Sequence, residues 1–291
     1  MSDEGCRLLT CSTGQLVNCS TVQLFNSSTG QLVNWSTGQL INSSTRQLVN
    51  YMSLTFRGFG RGALTFLRQL RKNNRREWFQ ENREAYDNEV LGPLKLMVEE
   101  VDVRLGRFAP EFVGDPKRSI FRIHRDVRFS KDKSPYKTHA ASWFKHRNAG
   151  HGVGSETHGG GAGYYFHLEP GGSMVAGGIW MPPRPTLNRL RDSIATKPAD
   201  FSKSMGATGF KRRFGKLSEE AMLTRLPRGF APGHPAETWL RYQSFTVHAM
   251  LSDSEVLDRR LVDRIEKDYR TMLPFVRWLN RSLGYLPASS R

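Results

Sequence analysis

Between Ala63 and Leu70 the apolar side chains Leu64, Phe66, Leu67 and Leu70 fall on one side of a helical wheel, so the spacing predicts a helix there. The pair Asn73-Asn74 then supplies a stop and an N-cap. A second helix follows from about Arg75, with Trp78, Asn82 and Tyr86 at i, i+4 and i+8 and Phe79 beside them. Pro93 sits where it opens a third helix, Leu94 to Leu105, whose Leu94, Met97, Val98 and Val101 repeat at three and four. Together these make an N-terminal helical layer.

After Pro116 the period shortens. Ser119 to Arg125 alternates, His139 to Lys145 is extended in character, and Tyr164 to Leu168 and Ser173 to Trp180 read as strands joined by the turn Glu169-Pro170-Gly171-Gly172. No helix-length crossover separates these four segments, which predicts antiparallel pairing. Helices return at Pro185 to Ala195, Ala199 to Met205 and, opened by proline, Pro235 to Tyr242, followed by a strand at Phe245 to Leu251. Ser252 or Ser254 can cap a long terminal helix to Leu283, with Val256, Leu257, Leu261, Ile265, Tyr269, Met272 and Phe275 on its buried side. Pro274 is expected to kink or split it. The fold class is α+β: a mostly antiparallel sheet packed with helices.

The first 51 residues have another character. From Ser12 to Tyr51 the chain is five octads, STGQLVNC, STVQLFNS, STGQLVNW, STGQLINS and STRQLVNY. A period of 8 is too short to supply a stacking supersecondary unit. Residues 1–51 are therefore expected to be a disordered arm, or an upstream tandem repeat read in frame ahead of a natural start at Met52. Residues 52–291 form a single α+β domain.

Charge changes the picture most. Lys and Arg number 43 against 27 Asp and Glu, a net charge of +16, and the arm contributes almost none of it. The partner indicated is anionic, nucleic acid or a phosphorylated ligand. The three cysteines, Cys6, Cys11 and Cys19, all precede the main domain, which excludes disulfides, cysteine nucleophiles and thiolate metal sites from it. The apolar runs fall short of the roughly 20 residues that span a bilayer, and no signal-peptide pattern opens the chain, so a cytoplasmic protein without membrane attachment is expected.

Several separated motifs bear a resemblance. They are Asn73-Asn74 with Trp78-Phe79, Asn82-Arg83 and Tyr86; the run Arg125-Asp126-Val127-Arg128-Phe129-Ser130-Lys131-Asp132-Lys133-Ser134-Pro135-Tyr136-Lys137; and Gly163-Tyr164-Tyr165 to Glu169-Pro170 with Gly177-Gly178-Ile179-Trp180-Met181-Pro182. In this order, over Phe59 to Leu283, they resemble the conserved hypothetical family catalogued as domain of unknown function 2461. The resemblance implies a single domain found in bacteria and fungi. It implies no particular reaction, so no catalytic residue or cofactor carries over from it. The octad arm and a Gly/His-rich connection from His146 to Ala162 depart from the family pattern.

The densest polar cluster is Arg118, Arg122, Arg125, Arg128, Lys131, Lys133 and Lys137, interleaved with Asp126, Asp132, Ser130 and Tyr136. Arg122, Arg125, Arg128, Lys131, Lys133, Tyr136 and Lys137 form a candidate anion cradle, arginine binding phosphate as a fork and Tyr136 stacking or donating. An Arg–Asp network that pins the loop to the sheet fits the same residues, and both readings stand at this point. Nucleic-acid binding leads among functions because Arg68-Arg71-Lys72-Arg75-Arg76 and Lys211-Arg212-Arg213 add cations, and Trp143, Tyr164, Tyr165 and Trp180 add stacking surface. The alternative is an enzyme acting on a phosphorylated substrate or phosphodiester, with catalytic candidates Asp126, Asp132, His167 and Glu169. Asp115 also flanks the basic cluster. His139, His146, His151 and His158 lie close together, but three of them are on the Gly-rich connection and no metal site is assigned. A pocket is expected between the strand end at Gly178 and Trp180 and the Arg125 to Lys137 loop.

Overall fold

The computed structural model describes residues 21–26, 31–36, 56–128, 130–149 and 160–288. Two compact units emerge, Met1–Thr55 and Phe56–Arg291. In the first, strand β1 (Thr21–Asn26) lies within the octad Ser20–Ser27 and β2 (Gln31–Ser36) runs through Ser28–Trp35 to the first residue of the next octad, and the two pair antiparallel with Leu24 opposite Val33. Met52, the expected start, lies outside the described residues.

The second unit opens with α1 (Arg61–Lys72), which buries Ala63, Leu64, Phe66, Leu67 and Leu70. Asn73 ends it, and α2 (Arg76–Glu81) begins after an Arg75 N-cap that makes no side-chain cap bond. Asn74 is thus not the expected cap. Its side-chain amide instead exchanges two hydrogen bonds with the backbone of Tyr136, at 2.9 and 3.0 Å, and ties the basic loop to the helical layer. Beyond Asn82 the chain runs through a short helix, Arg83–Ala85, and a π-helical turn, Tyr86–Leu91, into α3 (Gly92–Phe108), with Pro93 in its first turn where no amide is needed.

Five antiparallel strands form the sheet in chain order: β3 (Phe112–Val113), β4 (Ala140–His146), β5 (Gly163–Leu168), β6 (Met174–Ile179) and β7 (Phe245–Met250). Between β5 and β6 the amide of Gly172 donates to the Glu169 carbonyl at 2.9 Å, with Gly171 at φ +71 as a Pro-Gly turn requires. Ser119 to Arg125 is not a regular strand. It touches β4 through the bridge Ile120–Ser142 and then turns back on itself through His124–Tyr136.

Helices α4 (Arg184–Thr196), α5 (Pro198–Ser204), α6 (Thr208–Phe214) and the short α7 (Glu237–Leu240) precede β7. The terminal helix is interrupted, but not at Pro274. Ser252 caps α8 (Asp253–Leu257) through a full capping box with Glu255, Asp258 is extended, and α9 runs unbroken from Leu261 to Ser282 with Pro274 inside it.

Alternation then divides the sheet. One face carries Phe144, Tyr164, Phe166, Val175, Phe245 and Val247, all buried. It packs on α9 and α3: Tyr164 stacks on Tyr269 with centroids 4.4 Å apart, and a methyl on Gly177 would come within 2.7 Å of the Met272 sulfur. The residues between them necessarily point the other way.

Candidate functional site on the open sheet face

The strand register aligns the outward residues into three rows. Ala141, His167, Met174 and Met250 form one, Trp143, Tyr165, Ala176 and His248 the next, and Lys145, Gly163, Gly178 and Thr246 the third. A cavity of about 470 Å³ lies over them, walled by Phe121, Lys137, His139, Trp143, Tyr165 and Trp180 and reached by Ser218 and Glu220. Its size is that of a small-molecule site. Glycines hold its third row flat: a methyl on Gly163 would lie 2.4 Å from the Phe144 carbonyl oxygen, and one on Gly178 2.0 Å from that of Phe245. A larger groove of about 910 Å³ between α4, α5 and α9 is lined mostly by solvated side chains such as Asp192, Lys203 and Arg281 and brings no reactive group together.

At the β5 end of the cavity stands a chain of polar groups. The Tyr165 hydroxyl lies 2.9 Å from His167 Nδ1, and His167 Nε2 lies 3.0 Å from Glu169 Oε2. A carboxylate can only accept, so His167 Nε2–H donates to Glu169 and Nδ1 accepts a hydrogen bond from the Tyr165 hydroxyl. Glu169 is also paired with Arg71, and its turn is held by Ser173 Oγ, which accepts from the Glu169 amide at 3.0 Å and donates to its carbonyl at 2.9 Å. Asp253 accepts from the Gly171 amide at 2.8 Å and pairs with Arg68 at 2.6 Å, so two arginines one turn apart on α1 brace the turn.

His139 completes the group. Its ring lies 4.3 Å from that of His167, and one ligand atom from each of His139, His167 and Glu169 falls within 4.8 Å of the others. The register explains this, since one step beyond Ala140 opposite Leu168 places His139 opposite Glu169. Burial, then repulsion from His167, lowers the His139 pKa to about 4. Burial likewise lowers that of His167, against the pull of Glu169, and raises the Tyr165 hydroxyl to about 12. Burial alone would raise Glu169, but the His167 hydrogen bond and the charges around it bring it below its ordinary value.

The basic cluster is largely spent on itself. Arg125 is half-buried and paired with Asp132, which also accepts from the Ser134 amide and hydroxyl. Arg128 forks onto Asp126 at 2.7 to 3.2 Å and holds that carboxyl near a pKa of about 2. Arg118 stands 3.9 Å from Asp115, and Lys133 donates to the Val127 carbonyl at 3.0 Å. Arg122 and Lys131 are exposed. Tyr136 is 2% exposed and stacks on Phe79 with centroids 4.2 Å apart, so its ring serves the core. Of the candidate cradle, Lys137 alone lines the cavity. It donates to the Arg122 carbonyl at 2.9 Å and lies 5.4 Å above the Phe121 ring, its pKa lowered by burial and by Arg122.

The structure therefore brings His167 and Glu169 together, and Lys137 with Gly178 and Trp180, while Asp126 and Asp132 stay with their arginines on the loop. His146 is 1% exposed and bonded to the Leu286 carbonyl at 3.0 Å; His151 and His158 lie outside the described residues. Arg213, counted among the cations that favour nucleic acid, forks onto the buried Asp268 at 2.7 and 2.9 Å. His139 as partner of Glu169, and Arg71 as its brace, were missed, although His-x-Glu leading into a Pro-Gly turn marked one half of the site.

A family model described as conserved hypothetical protein, DUF2461, matches residues 62–278, more than half of the chain. The chain belongs to the DUF2461 family. The matched region spans α1 through most of α9 and so includes both the DUF2461 sheet and its open face. No curated protein and no solved structure matches the chain. No helix among the described residues is long and apolar enough to cross a membrane.

Proposed function

We propose that this DUF2461 domain binds a small, flat, anionic molecule in the cavity on its open sheet face. The observation that carries this reading is that Trp143, Tyr165 and Trp180 line the same 470 Å³ cavity as Lys137. Trp180 is 56% exposed, a large apolar surface left in water at the rim, where a planar ligand would cover it. Lys137 supplies the charge for a carboxylate or phosphate. The internal pairing of Arg125 and Arg128 reduces what the neighbouring loop can offer a polyanion, which favours the cavity over nucleic acid as the destination of the charge.

Tryptophan fluorescence titrated with naphthoate tests this. Saturable quenching is expected, weakened about fivefold by Trp180→Ala, since a lost aromatic contact is worth about 1 kcal/mol. Lys137→Met should weaken naphthoate but leave the neutral naphthylmethanol unchanged. Wild-type affinity of both variants for naphthoate, or tighter binding of a short oligonucleotide that survives both substitutions, would overturn the reading.

A further inference from the structure

We infer that His139, His167 and Glu169 form a binding site for one divalent first-row transition metal at the edge of the sheet cavity. Two imidazoles and a carboxylate are the donor set such ions take when positions are left open for water or substrate. The DUF2461 domain after Cys19 has no thiol to compete for them. Metal–ligand bonds of about 2.0–2.2 Å place neighbouring donor atoms about 3 to 3.5 Å apart. The 3.0 Å between His167 Nε2 and Glu169 Oε2 already meets that, and the 4.8 Å limit on the whole trio leaves a small side-chain rotation to close it.

Three further observations point to a ligand rather than a closed hydrogen-bond network. Neither ring nitrogen of His139 makes a hydrogen bond to another described residue, although the ring is half-buried and lies 4.3 Å from that of His167. The other groups have the outer partners that metal ligands need: Tyr165 at 2.9 Å from His167 Nδ1, and Arg71 on the Glu169 carboxylate. With a metal on Nε2, the His167 proton moves to Nδ1 and is donated to the tyrosine oxygen, so the tautomer switches without movement of either ring. Finally, the turn carrying Glu169 is braced by Ser173, Asp253 and Arg68, a scaffold of the rigidity that ligand placement requires. His139 also lines the cavity, so an open coordination position would face it.

This inference stands without the organic ligand, because the metal alone tests it. Full-length protein stripped with EDTA should bind one equivalent of Co(II) or Zn(II) in calorimetry. The Co(II) spectrum should lack a thiolate charge-transfer band, which separates this site from Cys6, Cys11 and Cys19. His139→Ala should weaken binding at least about a hundredfold, as loss of a direct ligand exceeds the 10- to 100-fold cost of an outer partner, and Tyr165→Phe should cost about tenfold. His139 carries no hydrogen bond that the fold needs, so its variant should melt as the wild type does; Glu169→Gln gives a second, near-isosteric loss. Absence of saturable binding at about 100 μM metal, or wild-type affinity in both His139→Ala and Glu169→Gln, would overturn the site.

Discussion

Gly178→Ala tests whether the cavity floor owes its shape to glycine. Gly178 has φ +127, a region essentially closed to residues with a side chain, where strain costs about 1–3 kcal/mol. The added methyl would also lie 2.0 Å from the Phe245 carbonyl oxygen and 2.9 Å from Thr246 Cα, both backbone of the paired strand β7, so no rotamer change relieves it. β6 and β7 must separate locally, which adds about 1 kcal/mol for a disturbed ladder bond. The sum is about 2–4 kcal/mol, or about 4–16 °C in Tm for a domain of this size. Gly171→Ala is the control: its φ is +71 but nothing lies within 4 Å of the new methyl, so conformational strain of about 1–2 kcal/mol acts alone. Urea unfolding followed by tryptophan fluorescence reads both. If Gly178→Ala is no more destabilising than Gly171→Ala, the close approach of β7 does not govern this position and the argument fails.

Other substitutions separate charge that holds the fold from charge left for partners. Arg277→Met strands the Glu111 carboxylate, 1% exposed and bonded to that guanidinium at 2.6 and 3.2 Å; a loss of about 3–5 kcal/mol in denaturant unfolding is expected, partly restored by adding Glu111→Gln. Arg213→Met should cost a similar amount through Asp268, 4% exposed, and a loss under about 1 kcal/mol in urea would refute a structural role for the pair. In the capping box, hydrogen bonds from the backbone and hydroxyl of Ser252 hold the Glu255 pKa below its ordinary value, with Arg264 and Arg213 adding to it. A lowered carboxylate stabilises the fold above its unfolded pKa and loses that contribution as pH falls through its folded value. Glu255→Gln should therefore destabilise by up to about 1 kcal/mol near neutral pH and by progressively less below about pH 4, and a pH-independent difference in thermal melts would refute it.

Where local pattern and tertiary packing ask for the same thing, the elements were readable from the residues alone. Leu64, Phe66, Leu67 and Leu70 announce α1, and Glu169-Pro170-Gly171-Gly172 announces the β5–β6 hairpin, because one buried face and one turn type each suffice. Pro274 misled because the missing amide is a local cost, while Met272, Phe275, Val276 and Leu279 around it are buried and keep α9 together. The break comes at Asp258 instead, whose carboxylate accepts from the Arg260 amide at 2.8 Å in a local turn that leads into α9. Helix α6 hid behind Lys211-Arg212-Arg213. Its signal was the pair Phe210 and Phe214 at i, i+4, both buried with ring centroids 5.3 Å apart.

The candidate site was half legible for a related reason. His167 lies near the end of β5 and Glu169 one residue past it, so their shared side follows from continuing the strand's alternation. Their other partners come from the β4–β5 register and from helix docking, and neither is local. The connection 147–162 that joins β4 to β5 is too long for loop length to set the pairing, so nothing in the residues themselves aligns His139 with Glu169 rather than with a neighbour. Arg71 is harder still: its charge reads as one of many on an exposed helix face until the turn at Gly171 is seen bonded to Asp253 and Asp253 to Arg68. The basic loop shows the converse. Its residues were conspicuous because they are close in sequence, yet the same closeness lets Asp126 and Asp132 satisfy Arg128 and Arg125 within seven residues. Charges that are dense along the chain tend to neutralise one another, whereas His139, His167 and Glu169 meet only through the fold, and it is such a meeting that leaves the His139 ring nitrogens without a hydrogen bond among the described residues.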